Sequence, residues 1–186
     1  METIDAMRRR RAVREYSDAP IGRATIERLI DAAILAPSAM NLQPWAFAVL
    51  LNRERISGYA RRIQDWLLAH FEQTPFDPSL RKLLEDKNYN VLHHAPALVL
   101  VLATSSQSQA SEDGCLAAEN LMLAARDEGL GTCWIGLARA WLNLPSTKRE
   151  MGLPATCEVV APIVLGYPKA WPEPHGRNPA QIHWIG

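Results

Sequence analysis

Residues 96–103, PALVLVLA, carry aliphatic side chains at odd and even positions alike. A strand sends successive side chains to opposite faces, so a strand that is apolar on both faces needs cover on both. The segment predicts the central strand of a three-layer structure with helices on either side. Residues 23–36 supply one such helix, with Ile26, Leu29, Ile30, Ala33 and Ile34 at helical spacing and Pro37 stopping it. Residues 55–71 supply another, with Ile56, Tyr59, Ile63, Trp66, Leu67 and His70 on roughly one side.

The run CLAAENLMLAAR, residues 115–126, is apolar nearly all round, which places it in the core or in a subunit interface. Ser111 is its expected cap, Glu112 and Asp113 its first turn, and Gly129 and Gly131 its end. Further strands are expected at 45–51, at TCWIG (132–136) and at 158–166. A short helix over 3–10 carries Ile4 and Met7 on one face. Pro75 and Pro78 break the chain before a helix that Ser79 caps and that reaches about His93, and 105–111 reads as a polar loop. The tail, 167–186, holds four prolines and packs no core of its own, so it is expected to lie against something else.

With 186 residues, 48% of them hydrophobic, the chain suits one domain over 1–186 that buries roughly 70% of the surface its unfolded form exposes. Twenty Lys and Arg balance twenty Asp and Glu, which speaks against nucleic acid or an anionic membrane as partner. No apolar run approaches the roughly 20 residues of a spanning helix, and residues 1–14 have no signal-peptide core, so a cytoplasmic location is expected. The three cysteines, Cys115, Cys133 and Cys157, form no CxxC and fit a reducing compartment.

Several reaction types lack their motif. Trp134 stands where a GxGxxG starting at Gly129 needs its third glycine, there is no Walker loop or GxSxG elbow, and His93 and His94 are adjacent rather than one helical turn apart. No metal site and no catalytic side chain are expected. Four features remain. Arg8, Arg9, Arg10, Arg11 and Arg14 put five guanidiniums at the end of the first helix; Arg8 and Arg9 read as a solvated face, whereas Arg10 and Arg14 would project together if the helix continued. The loop APSAMNLQPW, 36–45, offers Ser38, Asn41 and Gln43 between hydrophobic elements. GLGTCWIG, 129–136, has the glycines that let a ligand approach backbone closely. In the tail, Arg177 is a cation and Trp184 a hydrophobic anchor.

In this order, RRRAVREY, APSAMNLQPWAF, the apolar helix leading to GLGTCWIG, and GRNPAQIHWIG resemble the nitroreductase family of FMN-dependent oxidoreductases over almost the whole chain. The resemblance implies an α+β, three-layer α/β/α fold with a central mixed sheet, in an intertwined homodimer whose two FMN sites lie at the interface. It implies further that Arg10, Arg11 and the backbone of Ala12 meet the ribityl phosphate with Arg177, and that Arg14 meets the pyrimidine edge. Pro37, Ser38, Ala39, Met40 and Asn41 would come from the other subunit, and Trp134, Ile135 and Gly136 would pass beside the ring, the Gly136 amide facing N5. Ala12 replaces the Ser or Thr often found there, which removes one hydroxyl contact worth about 1 kcal/mol. Residues 53–94 match no family motif, and the acceptor pocket is formed by such segments, so the acceptor stays open.

By the same resemblance the activity is an oxidoreductase that takes hydride from NADH or NADPH, a transient co-substrate, and reduces an electron-poor acceptor such as a nitroaromatic, quinone or enone by ping-pong turnover. A flavin carries hydride itself, which agrees with the missing acid, base and nucleophile, and a guanidinium beside its anionic reduced form raises its potential. Three other readings stay open: a flavin-binding sensor or carrier without turnover, a nucleic-acid arm at residues 8–14, and a thiol redox role for Cys133.

Overall fold

A computed structural model describes residues 2–73 and 76–186. Four strands form one sheet in the order β1-β2-β4-β3: β1 is Trp45–Leu50, β2 Ala97–Ala103, β3 Gly131–Trp134 and β4 Glu158–Gly166. All three pairings are antiparallel. The parallel component of the expected mixed sheet is a single bridge between Ala12 and Thr132 of β3.

β2 is buried along its whole length, and its alternation sorts the core into two layers. Leu98, Leu100 and Leu102 face α3 (Arg53–Ala69), where Ile56, Tyr59, Ile63 and Leu67 meet them. Ala97, Val99 and Val101 face α2 (Arg23–Ala33) and α5 (Ser108–Asp127). Alanines at 110, 117, 118 and 125 keep one face of α5 close to the sheet, while Cys115 and Leu116 of the apolar run stay exposed on the other. The three-layer α+β arrangement is therefore present.

Three local expectations change. α4 (Pro78–Glu85) is capped by Asp77, whose carboxylate accepts the Ser79 amide at 2.8 Å, and it stops at Glu85 instead of reaching His93. The side chain of Asn90 accepts the amides of Leu92 and His94 at 2.9 and 3.3 Å, and the backbone passes through the left-handed region at His93 and His94. A local side-chain bond of this kind competes with helix, and Pro96 closes the option beyond it. The expected break at Pro75 lies outside the described residues. α5 begins three residues before Ser111, whose hydroxyl donates to Glu158 at 2.8 Å instead of capping the helix. α1 (Thr3–Arg9) ends where Arg10 turns extended, with φ −59° and ψ 133°.

From there the chain runs beside β3. The Val13 amide donates to the Thr132 carbonyl at 2.9 Å, and Tyr16 donates its hydroxyl to Val13 at 2.6 Å. The approach is so close that a Cβ on Gly131 would lie 2.5 Å from Val13 Cγ2, and one on Gly166 would lie 2.7 Å from Tyr16 Cδ1. No helix among the described residues is long and apolar enough to cross a membrane. Gly131→Ala should lower stability by about 1–3 kcal/mol through overpacking. Gly58→Ala, in open space on α3, should be neutral or slightly stabilising. Urea denaturation of the two variants checks the pair, and equal midpoints would refute the close approach.

Candidate functional site

The extended run after α1 decides which arginines converge. Because α1 ends at Arg9, helical spacing does not pair Arg10 with Arg14. Arg11, Ala12 and Arg14 instead line one wall of a cavity of about 440 Å³, closed opposite by Ala170, Trp171 and His175 of the tail. Arg11 and His175 are shared with a neighbouring cavity of about 290 Å³, which Arg8 and Arg177 also line. Arg8 is exposed as expected, yet it faces this cavity. Arg10 lines neither; its Nε lies 3.4 Å from Glu119 on α5.

The Nε of Arg11 is buried without a hydrogen-bond partner, and that of Arg10, also buried, has only the longer contact to Glu119. A buried donor on a cation is costly to leave unmet, so these atoms fit an anion, and phosphate is the anion that paired guanidiniums hold best. Arg14 shares the larger of these two cavities with Glu15, and several titratable groups near it are neutral. Burial and the charge of Arg14 push the His93 imidazole down to about 4. Burial raises the Tyr16 and Tyr89 phenols and the Cys133 thiol. At neutral pH these four side chains carry no charge, so the charges on this wall of the cavity are those of Arg11, Arg14 and Glu15. A buried thiol held protonated is a poor nucleophile, which weighs against a thiol redox role for Cys133.

Trp134, Ile135 and Gly136 lie just beyond the bridge that aligns Ala12. Ile135 is buried and donates its amide to Pro162 at 2.8 Å; Gly136 is exposed and opens the short 3-10 turn Gly136–Ala138. A Cβ on Gly136 would meet nothing within 4 Å, so its backbone faces open space.

The loop after α2 stands apart from both cavities. Pro37 is exposed, Ala39 donates its amide to both carboxylate oxygens of Asp113 at 3.2 and 3.3 Å, and the Ser38 hydroxyl accepts the Gln43 amide at 2.9 Å. Met40, Asn41 and Gln43 are left-handed, and Met40 is 93% exposed. In one chain the loop therefore does not join Arg11 and Arg14. Two residues have places the sequence reading did not give them: Asp113, expected in the first turn of α5, lies beyond it as a buried carboxylate that holds this loop, and Arg126 has the ring of Trp171 3.4 Å away over its guanidinium. Neither belongs to a motif. Trp184, expected as an anchor, is 89% exposed.

Comparison with known proteins follows the same lines. A protein of Archaeoglobus fulgidus, provisionally named NADH dehydrogenase/NAD(P)H nitroreductase, is 32% identical over 98% of this chain and 97% of its own. The iodotyrosine deiodinase of Thermotoga neapolitana is 28% identical over 97% and 96%. The crystal structure of a nitroreductase with bound FMN from Bacteroides fragilis superposes with a TM-score of 0.84 at 26% identity and covers both chains fully. The family model for the nitroreductase family matches residues 7–167, from the arginine run through the last strand, and the chain belongs to that family.

Proposed function

We propose that the protein is an FMN-dependent oxidoreductase that takes hydride from NADH or NADPH and passes it to an electron-poor acceptor. The observation that carries this reading is the buried Nε of Arg11, without a hydrogen-bond partner, beside a cavity that Arg11 and Arg14 line. FMN has the matching parts: a phosphate for Arg10, Arg11 and Arg177, and a ring whose pyrimidine edge gains negative charge on reduction for Arg14. When bound, FMN supplies the hydride chemistry, which removes the need for an acid, base or nucleophile from the chain.

The chain's own residues have three tasks. Arg10, Arg11 and Arg177, with the Ala12 backbone, bind and orient the phosphate. Arg14 presents its guanidinium to the cavity, where His93, Tyr16, Tyr89 and Cys133 stay neutral and Glu15 is the one carboxylate among the described residues of the lining. Trp134, Ile135 and Gly136 form a backbone wall after β3, where the space a side chain at 136 would fill is open, and the Gly136 amide is the donor assigned to the ring. With one pocket for donor and acceptor, turnover is ping-pong.

A second copy completes the site. The accessible surface, 11105 Å², exceeds the roughly 8,900 Å² of a compact monomer of 20.7 kDa. Ile182, Trp184 and Ile185 of the tail are exposed, and beside the outer strand β1 lies a cavity of about 510 Å³ lined by Ile26, Ile30, Val49 and Leu51. A homodimer in which the tails cross covers these surfaces. It also brings Pro37, Ser38, Ala39, Met40 and Asn41 of one copy to the arginines of the other. The acceptor stays at the level of class, since relatives of comparable identity are named for nitroreductase and for deiodinase activity.

The purified protein should be yellow, bleach anaerobically with NADH or NADPH, and regain colour with a nitroaromatic or quinone. A colourless protein that FMN does not reconstitute refutes the reading, and a yellow one that reduced nicotinamide never bleaches makes it a flavin carrier. Arg14→Ala should lower the flavin midpoint potential by an amount on the order of tens of millivolts and weaken FMN binding. Spectroelectrochemical titration checks the shift, and an unchanged potential in the loaded variant removes Arg14 from the pyrimidine edge.

A further inference from the structure

The cofactor phosphate does not use up the cations of this region. Arg126, in the last turn of α5, is another arginine whose buried Nε has no partner. Trp171 of the tail covers its guanidinium at 3.4 Å, which is face-on contact. A guanidinium stacked on an indole is held flat, with its N–H donors directed outward in the ring plane, as bidentate capture of a phosphoryl group requires. Arg9 and Arg11 stand near enough to depress the proton affinity of Arg126, with burial as the larger cause. Among the described residues, the ion pairs of the Arg8–Arg11 and Arg126 group include one carboxylate, Glu119 opposite Arg10. A phosphate monoester carries at most two negative charges, so once it meets Arg11 and Arg177, with Arg10 beside Glu119, the cations Arg9 and Arg126 are left for a second anion.

We propose that Arg126, held under Trp171, and Arg9 form a second phosphate position that takes the pyrophosphate end of the nicotinamide dinucleotide. The inference rests on the flavin-dependent reading above and deepens it, because it says where a donor that lacks a Rossmann site on this chain finds its charge partners. Trp171 also lines the larger cavity with Arg11 and Arg14, so the position adjoins the proposed flavin site. Arg126→Gln removes the fork and its charge, and Arg9→Gln, on an exposed face of α1, repeats the test where folding is not at stake.

Two measurements on holoenzyme decide it. The first compares kcat/KM for NADH, NADPH and 1-benzyl-1,4-dihydronicotinamide, a hydride donor without phosphate. Each variant should lose about tenfold with the two dinucleotides, through KM, and nothing with the benzyl compound. The second is calorimetric titration of the oxidised holoenzyme with ADP, which has the pyrophosphate and no nicotinamide; both variants should bind it about tenfold more weakly. Equal losses with all three donors, unchanged ADP binding, or release of FMN from either variant would overturn the proposal, the last by assigning the arginines to the cofactor. Failure of the flavin reading looks different, since the unmodified protein would then be colourless or inert toward the benzyl compound.

Discussion

The bond from the Val13 amide to the Thr132 carbonyl, with the Ala12 bridge beside it, is the constraint on which the functional region depends. Without it, the arginine run would continue α1 and spread its cations around a helix. With it, Arg11, Ala12 and Arg14 are laid along the edge of the sheet and face the tail. The contact is possible because residue 131 has no side chain: any Cβ there would strike Val13. Tyr16 locks the far end by donating to Val13 and by occupying the space that Gly166 leaves open. Backbone pairing and two absent side chains thus set the direction of three functional positions.

The same alignment explains the electrostatics. Arg14 emerges beside Tyr16, Tyr89, His93 and Cys133, all polar or titratable and all held neutral, chiefly by burial. For His93 the folded value lies below the ordinary one, so its neutral form favours the fold above about pH 6.5, and that contribution fades as pH falls toward about 4. Arg14 itself is exposed, so water screens its charge until a ligand fills the cavity beside it. A His93 charged at neutral pH would have added a second cation of variable strength, whereas the observed burial leaves one of constant strength.

What could be read from the residues and what could not divide along local and non-local lines. PALVLVLA announced its role because both faces of β2 are buried, and the alternation that sorts its leucines and valines into two layers needs no partner information. The pairing of Arg10 with Arg14 by helical spacing failed because the end of α1 is fixed by Thr132, more than a hundred residues away. α4 stopped early for a local reason, the Asn90 turn, that hydrophobic periodicity does not register. The residues of the loop after α2 were legible as chemistry and illegible as position: Ser38 and Asn41 are polar in a hydrophobic setting, yet only the Asp113 bond shows that their own chain holds them away from Arg11 and Arg14.

Arg126 illustrates the limit most clearly. In sequence it is a basic residue in the last turn of a helix, where a cation is favourable against the helix dipole and calls for no further role. Its surroundings contradict that simple reading, for a dipole partner should be solvated and its donors satisfied by water, whereas this one lies under an indole with a buried, unpartnered Nε and other guanidiniums nearby. Clustering like charges opposes folding unless something bound repays it, and burying their donors adds to the opposition. The cost falls on the part of the molecule that joins α1, α5 and the tail, three segments distant in sequence with little apolar surface in common. An anion held there would offset that cost and, by binding only the folded arrangement of the three segments, would stabilise it.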